Sequence, residues 1–130
     1  MERTYVEGTW QKNRSFSPAV ITKGTGTVIW LAGHGAPADA DGNSLAGDFE
    51  AQTRQSFALL DATLQQAGGS LADMVTMTVF IIDSRYGNLF TDTRGEYFPD
   101  GFPASAIITC AGFAQPEMMV EIQGIAVIED

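Results

Sequence analysis

The chain has 130 residues, with 7 Lys and Arg against 16 Asp and Glu, for a formal net charge of -9. This length suits a single domain, residues 1–130, which can bury roughly two-thirds of its unfolded surface. A composition 45% hydrophobic and 18% charged excludes a disordered tail protein. The acidic balance disfavours nucleic-acid backbones and anionic membranes, leaving a small molecule or a protein as partner.

In chain order, a short strand is expected near Thr4–Thr9, followed by a loop ending at Ser17-Pro18. The β-branched pieces Ala19–Thr22 and Thr27–Leu31 flank Lys23-Gly24-Thr25-Gly26, which predicts a hairpin. Gly33–Gly47, rich in Gly, Asp, Asn and Pro, reads as loop. Asp48 can cap a helix in which Phe49, Thr53, Phe57, Leu60, Leu64 and Ala67 recur at helical spacing, stopped by Gly68-Gly69. A strand is expected over Met74–Ile82, a second helix over Leu89–Phe98, and two further strands over Ala104–Cys110 and Met118–Ile128. The plan is α+β, a six-stranded mixed sheet with two helices on one face. In the last strand both Val120, Ile122 and Ala126 and, on the other side, Ile125 and Val127 are apolar, and Met74–Ile82 is apolar on both sides too. Two helices cover one face only, so the second face predicts a homo-oligomer.

One cysteine, Cys110, and one histidine, His34, exclude an internal disulfide and a Cys/His-rich zinc site, and fit a reducing, cytoplasmic compartment. Neither DxDxDG nor HExxH occurs, so no metal motif is found, and the sequence leaves a carboxylate site open. Gly24-Thr25-Gly26 lacks the remainder of a nucleotide-binding loop, so no nucleotide cofactor is expected. The opening Met1–Tyr5 lacks the basic head and apolar run of a signal peptide, and no stretch approaches 18 apolar residues, so no membrane span is expected.

Four stretches carry a family likeness: Leu31-Ala32-Gly33-His34, Gly47–Gln55, Ala67–Val75 with Thr78-Val79-Phe80, and Glu121–Val127. Together they resemble the Rid/YjgF family of reactive-intermediate deaminases along nearly the whole chain. The resemblance implies a chorismate-mutase-like subunit, a homotrimer with clefts between subunits, and hydrolysis of amino-acid-derived enamines and imines with release of ammonia, without cofactor. It further implies that a glutamate on the last strand positions water and that an arginine on the fifth strand binds the substrate carboxylate.

Glu121 falls on that glutamate and Gly33 on a family glycine. Ser105, after Pro103-Ala104, stands where the arginine is expected. Phe16 replaces a cleft tyrosine, Ile107 a cysteine, Thr91 a helix asparagine and His34 a glutamine. The chain is thus a divergent member lacking the clamp arginine, and its substrate should differ from 2-aminoacrylate, since serine cannot offer a bidentate fork. Arg94, three residues after Thr91 and so on the same helix face, is a candidate replacement, and Arg14 is a second. The competing reading of Arg94 is a surface arginine paired with Asp92 or Glu96. His34 can serve as a cleft donor or general acid, or be a hydrogen-bonded loop residue. Ser105 has no GxSxG setting and is read as a polar cleft wall. The alternative to an enzyme is a non-catalytic metabolite-binding or chaperone-like trimer, and a ribonuclease role is opposed by the charge.

Overall fold

The computed structural model describes residues 1–130. Its strands are β1 (Glu2–Tyr5), β2 (Val20–Lys23), β3 (Gly26–His34), β4 (Met74–Ile81), β5 (Ala104–Thr109) and β6 (Val120–Glu129), and its helices are α1 (Phe49–Gln66) and α2 (Gly87–Arg94). The six expected strands are present, but they form two sheets. β1 and β2 pair antiparallel by themselves, while the main sheet runs β3-β6-β4-β5, with β3/β6 and β6/β4 antiparallel and β4/β5 parallel.

The expected hairpin of β2 with β3 is therefore corrected. Gly24 (φ 94) turns the chain, but β2 joins β1 while β3 joins β6, 90-odd residues on. A glycine turn sets a local reversal, and only long-range packing decides which neighbour takes the freed backbone groups. The first strand is also displaced to Glu2–Tyr5. The second helix ends at Arg94 rather than Phe98, where Gly95 begins a tighter turn closed by the Glu96 and Tyr97 amides on the Thr93 and Arg94 carbonyls.

Helix α1 forms where its apolar spacing and cap predict. The Asp48 carboxylate accepts the Ala51 amide, and Phe57, Leu60 and Leu64 are fully buried. Both helices lie on the sheet face that carries Met77, Val79, Ile81, Val120, Ile122 and Ala126. Gln52, also fully buried, accepts the Met119 amide at 2.8 Å and donates to the carbonyls of Leu45 (3.0 Å) and Glu117 (2.8 Å). This fixes the start of β6 against α1.

The other face has no helix. It carries Trp30 (77% exposed), Val28, Thr76, Thr78, Gln123 and Ile108, with Trp30, Thr76, Thr78 and Gln123 around a shallow groove of about 300 Å³. No helix is long and apolar enough to cross a membrane.

Candidate active site

Two groups of residues stand out, and one chain holds them apart. The first is built on a β-bulge. Between Leu31, opposite Gly124, and His34, opposite Ile122, β3 has one residue more than β6. That irregularity brings Gly33 over Glu121. A methyl on Gly33 would lie 2.8 Å from Glu121 Cδ and Oε1, so only glycine leaves room for the carboxylate. Glu121 pairs with Phe80 across β4 and points to the helix-free face, while its neighbours Val120 and Ile122 are fully buried beneath the helices. Its side chain is half-buried.

His34 lies on the helix side. Its Nδ1 is 2.7 Å from the Ala32 carbonyl oxygen and its Nε2 is 2.8 Å from Thr63 Oγ1. The carbonyl requires Nδ1–H as donor, while the Thr63 hydroxyl can pair with Nε2 either as donor or as acceptor. Both nitrogens are thus engaged in holding the end of β3 against α1.

The second group surrounds Arg94, the last residue of α2. Its side chain is buried (1% exposed) and lies within reach of no carboxylate. The expected surface pairing is overturned, because Glu96 binds Arg54 instead, at 2.9 Å. Arg94 Nε donates to Ser15 Oγ (3.1 Å), Nη1 to Ser105 Oγ (2.6 Å) and Nη2 to the Arg14 carbonyl (3.4 Å). The guanidinium lies over Phe90, four residues earlier on α2, at 5.1 Å from the ring centroid, and over Phe16 at 5.9 Å. Burial, and secondarily the positive charge of Arg14, lower its pKa to about 10, so it remains protonated at neutral pH.

The segment before β2 is shaped around this cation. Asn13 adopts φ 66, a left-handed conformation asparagine takes readily, and Ser15 adopts φ 59, where a serine is uncommon and is held by its surroundings. Ser15 Oγ donates to the Thr91 carbonyl at 2.6 Å. Ser17 then bonds the Pro103 carbonyl and bridges to Ala104, covering the free edge of β5.

Arg94, Ser105, Arg14, Phe16 and Thr91 are therefore brought together, and Gly33 and Glu121 are brought together elsewhere. The Thr91 hydroxyl turns back to the Gly87 carbonyl of its own helix. Ile107, on the same side of β5 as Ser105, packs against the core. The Arg14 side chain reaches Asn88 Oδ1 at 2.9 Å and is exposed. Ser15 was not legible in the sequence as a site residue. Its signal is structural, a positive φ beside a buried charge.

Glu121 and Ser105 face opposite sides of the sheet on strands separated by β4, and Ser105 registers with Met77, three residues from Phe80. Strand spacing and rise place their α-carbons about 14 Å apart. The largest groove, about 590 Å³, lies elsewhere, between β1, the segment preceding Pro18 and residues 100–102, with Phe16 in its wall and neither Glu121 nor Arg94 lining it. No three His, Cys, Asp or Glu side chains converge to hold a metal.

The fold defines an α+β subunit of the Rid/YjgF type. The chain belongs to the Rid/YjgF family, matching the family described as endoribonuclease L-PSP over residues 10–128. Among solved structures it is similar to YyfB of Yersinia pestis, a Rid-family protein of unknown function (25% identity, TM-score 0.84), across 98% of this chain and 100% of that one. It is similar also to YyfA of the same organism (28%, TM-score 0.71) and to Rv2704 of Mycobacterium tuberculosis, of the YjgF/YER057c/UK114 family (25%, TM-score 0.69), each across 98% of this chain and all of theirs.

Proposed function

We propose that the chain is one subunit of a homotrimeric cytoplasmic hydrolase that deaminates a small enamine, imine or related C–N intermediate other than 2-aminoacrylate. The observation that carries this reading is Glu121, a carboxylate in mid-strand, accommodated by Gly33 and turned toward the mixed polar and apolar face that the helices leave bare. A small molecule cannot touch Glu121 and the Arg94–Ser105 pair of one chain, which lie on opposite sides of the sheet. Packing the bare face of one copy beside β5 of the next supplies both to one cleft, and the exposed Trp30, Val28 and Ile108 suit such burial.

In this cleft Glu121 accepts a proton from water as the water oxygen attacks the C=N carbon. With the imine nitrogen already protonated this addition gives a neutral carbinolamine; Glu121 hands the proton to nitrogen and takes the hydroxyl proton as the C–N bond breaks, giving a carbonyl compound and, with that last proton, an ammonium ion. Arg94, with Ser105, Arg14 and Phe16, makes the electropositive end that receives the substrate's electron-rich group, while Thr91, Ile107 and His34 shape the surrounding walls. The charge of -9 argues against the ribonuclease activity in the family's description. The lone unpaired Cys110 suits a reducing compartment.

Ammonia release from imines generated by an amino-acid oxidase, and from muconate-type enamines, tests the proposal. Turnover by the wild type, reduced at least 100-fold in Glu121→Ala, supports it. Tight binding of such compounds without turnover by the wild type supports the alternative, a non-catalytic binding module. That alternative draws on Arg94, whose guanidinium is already committed to protein oxygens.

A further inference from the structure

We infer that Arg94 acts on the cleft through Ser105. The buried guanidinium polarises the Ser105 hydroxyl, and that single O–H grips the ligand, so the cleft accepts a lone carbonyl oxygen, as in a carboxamide or ester, as readily as a carboxylate. This rests on the reading above, in which Ser105 faces the cleft.

The three nitrogens of Arg94 each already donate to a neutral protein oxygen, on Ser15, Ser105 and Arg14, and aromatic rings lie against the guanidinium. Three of its five N–H groups are thus taken, one on each nitrogen, and the side chain is 1% exposed, so a carboxylate could reach it bidentate only by displacing these partners and unmaking the segment that carries Ser15. The two serines in the network differ in one respect. Ser15 Oγ accepts from Arg94 and passes its own proton to the Thr91 carbonyl, so it is closed. Ser105 Oγ accepts from Arg94 at 2.6 Å and donates to no protein acceptor. A hydroxyl has one proton to give, and here that proton is free.

A short hydrogen bond from a cation to the hydroxyl oxygen draws electron density from the O–H and strengthens it as a donor. Ser105 is partly exposed whereas Arg94 is not, so the positive charge reaches the surface as a hydroxyl proton. A single donor makes one hydrogen bond to carboxylate or carbonyl alike, whereas a guanidinium fork strongly prefers the carboxylate. Arg94 is a positioning residue in this arrangement, and Ser105 is the contact.

The test is calorimetric binding of phenylpyruvate and its amide, phenylpyruvamide, to the full-length oligomer. These are the carbonyl products that hydrolysis of the corresponding imines would release. The expected result is affinities within about fivefold of each other, both weakened about tenfold in Ser105→Ala and restored in Ser105→Thr. A preference of 100-fold or more for phenylpyruvate, unchanged or increased in Ser105→Ala, overturns the relay in favour of a direct arginine clamp. Failure of the wild type to bind either compound also overturns it. A purely structural role for the pair would not set the ratio of the two affinities. Binding needs no chemistry, so loss of the hydrolase reading shows separately, as absent ammonia release with the binding pattern intact.

Discussion

The Glu121 carboxylate rests on the α-carbon of Gly33, so closely that a methyl group at position 33 would stand 2.8 Å from both Cδ and Oε1. The two residues belong to paired strands, and the extra residue in β3 between Leu31 and His34 makes the approach possible. The bulge and the glycine thereby aim the acid at the helix-free face without burying it under the helices.

Gly33→Ala should displace the Glu121 side chain while leaving the core intact. Ammonia release is expected to fall about 10- to 100-fold in kcat, with thermal stability lowered by about 1 kcal/mol at most, since the crowded atoms are at the end of a flexible side chain. Kinetics set beside a melting curve on the same preparation check this, and full activity would show that the position of Glu121 does not matter.

Arg94→Met should hold or raise stability, by about 1–2 kcal/mol at neutral pH, because it removes a buried charge that has no acid partner. Ligand binding in the cleft should weaken in the same variant, by about tenfold as in Ser105→Ala, so stability and function move in opposite directions. The pH dependence has a definite sign. Arg94 in the folded chain releases its proton near pH 10, below its value when unfolded, so above pH 10 the unfolded state binds more protons than the folded one. Wild-type stability therefore gains on that of Arg94→Met as pH rises through 10, and the difference between them narrows. Paired urea titrations at pH 7.5 and 10.5 measure it.

Gln52→Ala removes three hydrogen bonds between a fully buried side chain and the backbone at Leu45, Glu117 and Met119. A loss of about 2–3 kcal/mol in urea unfolding is expected, because buried peptide groups lose their partners and a cavity opens. Amide hydrogen exchange should rise first at Met119, where β6 begins.

Trp30→Glu changes a residue 77% exposed on the helix-free face, so the subunit fold should be nearly indifferent, within about 0.5 kcal/mol. Sedimentation is expected to show a trimer for the wild type and a monomer for the variant, with ammonia release lost alongside. A wild-type monomer at working concentration would remove the interfacial cleft from the argument.

Helix α1, with Asp48 as its cap, and strands β4 and β6 were legible in the amino-acid order, because capping, helical spacing and strand alternation are local signals. The likeness around Gly33 and Glu121 was legible for the same reason, and the two-sided apolar strands already required something to cover the second face. The partner of β2 was not legible, since a turn at Lys23–Gly26 reverses the chain without choosing its neighbour. Nor was the fate of Arg94. On its helix it reads as readily as a surface charge beside Asp92 and Glu96, and only the meeting of α2 with Ser15, 79 residues earlier, and Ser105, 11 later, buries it among neutral oxygens. A charge's burial and hydrogen-bond partners depend on segments remote in sequence, so tertiary packing alone decided where this cation sits and which hydroxyl it acts upon.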